Sequence, residues 1–171
     1  MLTEKQKVWI NHLSEESIVL IFPFDPSSHQ KFVFIKKKIQ SHFQADIKVE
    51  HHGASSLKIS GQDEIDIYIP LKQIDFNNIL HSLTELFGKP KSHYNFERAR
   101  FSTNEEQKKI DIFLVNEESE SWSDILRFET YLNNNPRILK EYEVLKENCR
   151  GLNTREYYKR KIEFINTVLK K

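Results

Sequence analysis

Two stretches of strict two-residue alternation, Glu64-Ile65-Asp66-Ile67-Tyr68-Ile69 and Lys109-Ile110-Asp111-Ile112-Phe113-Leu114, constrain this chain more than anything else in it. In an extended strand successive side chains point to opposite faces. Ile65, Ile67 and Ile69 therefore share one face while Glu64, Asp66 and Tyr68 share the other. Asp111 is flanked by Ile110 and Ile112 in the same way, which makes it a third carboxylate from a neighbouring strand. Three acids gathered on one sheet face repel unless a cation neutralises them. Hard oxygen ligands of this kind suit Mg²⁺, or Mn²⁺, which bridges carboxylates to substrate phosphates.

The composition bounds the partners. At 171 residues, with 38% hydrophobic and 30% charged content, the chain is expected to be a single unit over 1–171 with a sizeable core. Lys plus Arg number 26 against 25 Asp plus Glu, so no overall basic field exists to hold a long nucleic acid by counterion release. The charge is nonetheless uneven. Residues 137–171 carry 10 Lys or Arg and 5 Glu, a surface that either meets a polyphosphate or is simply solvated. Cys149 is the only cysteine, which excludes an intrachain disulfide and a cysteine-based zinc site and suits a reducing cytoplasm. Met1 to Lys7 has no signal-peptide apolar core, and no apolar run approaches the roughly 20 residues that span a bilayer. A cytoplasmic protein without membrane segments is expected.

Along the chain, helix is expected over 4–13, with Val8, Trp9 and Leu13 as a partial apolar stripe, and strand over 17–24, ended by Pro23 and the turn Asp25-Pro26-Ser27-Ser28. Phe32, Ile35, Ile39 and Phe43 mark a helix to about 43. A strand over 47–52, a loop over 53–61 and the acidic strand over 64–70 form a hairpin with a Ser-rich connection. Helix over 74–87 stops at Gly88 and Pro90, and strands over 93–101 and 108–115 flank the polar Ser102 to Glu106. From Ser121 the pattern is helical in three segments, 121–132, 136–149 and 154–169, broken at Asn133-Asn-Asn-Pro136 and Gly151-Leu-Asn-Thr154. The class is α/β, with a core over about 17–116 and a helical C-terminal part over about 117–171.

With these elements in place, the sequence resembles the GrpB-like family of the nucleotidyltransferase superfamily. Glu50-His51-His52-Gly53-Ala54-Ser55-Ser56 is similar to the family's Glu-His-x-Gly-Ser-Thr segment, and Ile65-Asp66-Ile67 to its Ile-Asp-Ile strand. Phe24-Asp25-Pro26 with Phe32 matches its aromatic-Asp-Pro entry into a helix. Downstream, Phe128, Tyr131-Leu132, Pro136, Tyr142, Leu145-Lys146, Tyr157, Lys161 and Phe164-Ile165 track its helical pattern, so the resemblance covers about 20–168. It implies a nucleotidyltransferase-like mixed sheet flanked by helices. It also implies a site in which Glu64, Asp66 and Asp111 hold Mg²⁺ while Gly53, Ser55 and Ser56 hold the phosphates of a nucleoside triphosphate. The family pattern adds Lys146, Tyr157 and Lys161 as residues that close over the nucleotide, with Lys161 as the leading cation. Three departures stand out: Ala54 replaces the Ser after Gly, the loop before Asp66 is about one residue shorter and lacks Lys-Pro, and Glu129 and Asn133 stand where the family carries arginines.

The implied activity is metal-dependent transfer of a nucleotidyl group to an acceptor that no motif encodes. A non-catalytic nucleotide-binding or interaction module of the same fold, and a small-RNA nucleotidyltransferase using the basic C-terminal region, remain open alternatives. Among the remaining residues, His51 and His52 point to opposite faces and make a poor zinc pair. Arg98 and Arg100 share a strand face and either approach phosphates or are exposed cations. Tyr142, Phe164, Trp9, Trp122 and Cys149 are expected to pack.

Overall fold

A computed structural model describes residues 1–43 and 47–170. The elements in chain order are α1 (Glu4–Asn11), α2 (Ser28–Phe43), β1 (Glu50–His52), the single-turn α3 (Gly53–Ser56) and β2 (Glu64–Leu71). After a 3-10 turn at Gln73–Asp75 come α4 (Phe76–Phe87), β3 (Ser92–Tyr94), β4 (Arg98–Glu105), β5 (Lys108–Asn116), α5 (Glu120–Asn134), α6 (Pro136–Asn148) and α7 (Thr154–Leu169). The strands form one mixed sheet in the order β1-β2-β5-β4-β3. β2 and β5 run parallel at its centre, and the other neighbours are antiparallel.

Alternation decides what covers each face. Ile65, Ile67 and Ile69 of β2, Ile110, Ile112 and Leu114 of β5, and Ala99 and Phe101 of β4 are all buried on one face. They pack against Phe32, Ile35 and Ile39 of α2 and Phe76 and Leu83 of α4, which forms the main core. The opposite face carries Glu64, Asp66, Tyr68, Asp111 and Arg100. It meets the C-terminal helices, whose own cluster joins Leu57 and Ile59 to Phe128, Leu132, Tyr142 and Val168. Polar strand residues thus confront an apolar helical wall, and a cavity opens between them.

Several expectations change. The expected strand over 17–24 is an extended strap rather than a sheet member. Val19 and Ile21 face inward as alternation requires, but the backbone makes only isolated pairings, with Gly151, Leu152 and Thr154 at one end and with Gly61 at the other, and joins no strand of the sheet. Alternation reports one buried side, and any extended segment lying on a core satisfies it. The strand expected over 47–52 is ladder-paired only from Glu50, and the loop expected over 53–61 begins with the turn of α3. The strand expected over 93–101 divides at a turn where Phe96 has φ +56°, and β4 continues through the segment read as polar loop to Glu105. Glu106 and Gln107, at φ +44° and +66°, then form a two-residue hairpin turn without the glycine or asparagine that usually signals one. In α1 the buried residue is Ile10 rather than Val8, and Ile74 is exposed on the 3-10 turn. Among the described residues no helix is long and apolar enough to cross a membrane.

Candidate functional site

Register builds the acidic cluster. Asp66 lies directly across from Asp111 in the parallel β2–β5 ladder, with His52 and Ser102 as the next partners outward. Glu64, one pleat earlier, pairs with Lys109. One carboxylate oxygen from each of Glu64, Asp66 and Asp111 lies within 4.8 Å of the other two. Asp111 is 3% exposed, and its Oδ1 is buried with no hydrogen-bond partner. An all-oxygen donor set with one unsatisfied buried oxygen matches what a hard divalent cation requires.

Asp66 stands half-buried at the floor of a cavity of about 340 Å³. Burial, then the Glu64 carboxylate and Asp111, push its carboxyl up to about 7, against the pull of Lys161 and Lys146. Lys109 extends its ammonium into the cluster, donating to Glu64 Oε2 and Asp111 Oδ2 at 2.8 Å each. Burial works against that charge, but the two hydrogen bonds outweigh it and hold the ammonium above its usual range. Arg100 approaches Asp111 Oδ2 at 3.8 Å.

The wall opposite the acids comes from α6 and α7. Lys146 and Lys161 both line the cavity, and among the described residues neither has a carboxylate within ion-pair distance; their close contacts are the rings of Tyr142, Tyr157 and Tyr158. Lys146 is 3% exposed, and burial together with the neighbouring Lys161 lowers its ammonium to about 7. Burial opposes the Lys161 charge as well, but the tyrosine oxygens and Asp66 outweigh it and raise that group well above its usual range.

The glycine-serine segment is turned to other uses. Gly53 has φ +77°, and a Cβ there would collide with Asp66 Oδ2, so only glycine lets the turn approach the acid. Its N–H donates to Glu129 Oε1 at 2.7 Å, and His52 Nδ1 donates to Glu129 Oε2 at 2.7 Å. Burial opposes a charge on His52, but Glu129, with Glu50 behind it, outweighs burial and raises the imidazole. Ser55 pairs with His51 Nε2 at 2.9 Å, while burial pulls His51 down to about 4 against the stacked Phe32 ring. Gly53 and Ala54 line the cavity, and Ser55 and Ser56 do not. The seven sequence-derived site residues thus fall into three groups: Gly53, Glu64, Asp66 and Lys161 line the cavity, Asp111 closes the acid cluster, and Ser55 and Ser56 lie outside the cavity lining.

The sequence profile of the GrpB protein family matches residues 18–171. The chain belongs to the GrpB family. Its fold also matches the crystal structure of conserved protein GrpB from Enterococcus faecalis, with a TM-score of 0.70 over 88% of this chain and 98% of that one, at 17% identity. No curated protein matches the sequence.

Within this GrpB chain, two site features, the Lys109 contact and the Glu129 contact, are not foreseen by the reading of the sequence. Lys109 was visible only as the first residue of a strand; its i, i+2 spacing to Asp111 puts both on one face, a signal that was present. Lys146, which the family pattern marks together with Lys161, does line the cavity, and its near-complete burial is what helical spacing alone does not signal. Glu129 appeared as a lost arginine, and nothing in the local sequence pairs it with Gly53, 76 residues away. The expected packing is largely found, with Phe164 half-buried and Trp9 partly exposed. His51 and His52 point to opposite faces, Trp122, Tyr142 and Cys149 are buried, and Trp9 packs edge-on against Tyr158.

Proposed function

We propose that this GrpB protein is a Mg²⁺- or Mn²⁺-dependent nucleotidyltransferase whose metal ligands are Glu64, Asp66 and Asp111. The convergence of three carboxylates within 4.8 Å at a cavity floor, one with an unsatisfied buried oxygen, carries the reading. In such a reaction the acceptor oxygen bonds to the α-phosphorus, the bond to the β-phosphate oxygen breaks, and pyrophosphate leaves. The metal would supply charge neutralisation of the triphosphate and a Lewis acid at the attacked phosphate. In this reading Asp111 completes the ligand set and helps take up the acceptor proton.

The phosphate half of the site rests on Lys146 and Lys161 rather than on the glycine-serine turn. Two ammoniums facing one cavity without carboxylate partners are stabilised by an anion between them. The turn offers less, since its first N–H is held by Glu129 and the Ser55 hydroxyl by His51. Calorimetry with ATP, GTP, CTP and UTP, each with Mg²⁺ or Mn²⁺ and with chelator, tests the proposal. Metal-dependent binding of at least one triphosphate that Asp66→Ala abolishes supports it. Binding indifferent to both the metal and Asp66→Ala contradicts it.

A second reading, a nucleotide-binding module without catalysis, is favoured by one observation: Glu129 occupies the Gly53 N–H that a catalytic phosphate loop would use. Transfer of label from any α-labelled triphosphate to an acceptor, lost in Glu64→Ala, removes that reading.

A further inference from the structure

Lys109 holds the place that a metal ion needs. Its Nζ lies 2.8 Å from both Glu64 Oε2 and Asp111 Oδ2, two of the three carboxylates in the acidic cluster. A divalent ion bound at about 2.1 Å from the same oxygens would come into contact with the ammonium, so the two cations exclude each other. Charge points the same way. With all three carboxylates ionised, as a metal requires, and Lys109 and Arg100 as their ion-pair contacts among the described residues, one formal negative charge remains, and exchanging the lysine for a divalent ion cancels it.

The two occupants differ in how they are held. Asp111 is fixed and buried, with a side chain 4% exposed, whereas the Lys109 side chain is 47% exposed on a flexible four-carbon stem. The lysine can therefore leave to solvent without moving the sheet. Arg100 cannot substitute for it. Its guanidinium touches only one acid, at 3.8 Å, and its Nε is buried and unpartnered.

We propose that Lys109 is a tethered counter-ion that competes with the divalent metal for Glu64 and Asp111, so the site alternates between an ammonium-closed state and a metal-loaded one. This rests on the metal-site reading above. Lys109 is thus a residue that sets metal affinity; it does not itself bind the metal. In the metal-free protein it keeps the acids from repelling one another, and on loading it is the group released.

The test is titration of the full chain with Mn²⁺ alone, followed by calorimetry and by the paramagnetic signal of free Mn²⁺. Lys109→Met is expected to bind Mn²⁺ roughly tenfold tighter than the wild type, because two charge-assisted hydrogen bonds, partly offset by hydration of the released ammonium, no longer have to be displaced. Lys109→Arg, which keeps a bridging cation, is expected to stay within about threefold of wild type, and Arg100→Met to gain clearly less than Lys109→Met. Thermal unfolding gives a second readout, in which Mn²⁺ raises the Tm of Lys109→Met more than that of wild type. Equal Mn²⁺ affinity in Lys109→Met and wild type, or equal gains in Lys109→Met and Arg100→Met, overturns the competition while leaving the metal site standing. Absence of Mn²⁺ binding in wild type and in both lysine variants overturns the metal reading itself, and the competition with it.

Discussion

Gly53 and Asp66 touch at the floor of the cavity, and each has a measurable consequence. A methyl group on Gly53 meets Asp66 Oδ2 in a left-handed backbone conformation, so Gly53→Ala is expected to lower stability by about 2 kcal/mol in urea unfolding. Retained stability would mean that the turn does not rest on the acid. Asp66 titrates near 7 in the fold against 3.8 for an ordinary aspartate. The folded chain therefore holds a proton that the unfolded chain releases between those values, and stability falls as pH rises from about 4 to 7. In chelator, Asp66→Asn is thus expected to be more stable than wild type at pH 8, by on the order of 2 kcal/mol once solvent access is allowed for. That advantage should shrink to nothing near pH 4. A constant difference between pH 4 and pH 8 would contradict the buried, acid-crowded environment assigned to Asp66.

Two clamps hold the elements that shape the site. Lys108, its side chain 8% exposed, pairs with Asp25 Oδ2 at 2.9 Å and with Asp63, tying the turn before α2 to the entry of β2 and the start of β5. Lys108 and Ser27 hold the Asp25 carboxyl well below the usual carboxylate range. That contribution is present above about pH 4 and lost as pH falls below it. Lys108→Met is expected to cost about 2 kcal/mol at pH 7, and the loss should narrow in acid. Equal stability of the two proteins at pH 7 would show the clamp to be without net effect. Glu129 is the second clamp, bridging α5 to the β1–α3 turn through Gly53 and His52.

How far these elements could be read in advance depended on whether their signal was local. The strands β2 and β5 and the helices α4 to α7 announce themselves, because burial on one side imposes a period that neighbouring residues share. Three carboxylates followed from the same period. The strap over 17–24 carries a strand's period without being a strand of the sheet, because period two reports a buried side and says nothing about a hydrogen-bonding neighbour. Glu129, Lys108 and the inward turn of Lys146 are contacts between segments dozens of residues apart, and no spacing in a single sequence encodes them. The loop likewise looked complete as Gly53-Ala-Ser-Ser56, and only the fold shows Ser55 turned to His51.

At the scale of the whole molecule, the cavity exists because a sheet with one apolar and one charged face is covered on both sides. Helices α2 and α4 seal the isoleucine face, while α5 to α7 lie over the acids and bring two lysines with them. The proposed metal and anion sites would therefore belong to different layers, and ligand binding should join them. Lys146→Met and Lys161→Met are each expected to weaken triphosphate binding by roughly tenfold or more while leaving Mn²⁺ binding intact. Loss of Mn²⁺ binding in these variants would show that the two halves are not separable. Amide exchange should slow together in β2 and α7 when metal and triphosphate are both present.

The most direct measurement is calorimetric titration of a triphosphate into the full-length protein, with Mn²⁺ and then with chelator, for wild type, Asp66→Asn and Asp111→Asn. The account predicts binding by wild type in Mn²⁺ alone, lost in chelator and in both variants. Triphosphate binding that persists unchanged in chelator, or in both aspartate variants, would contradict it.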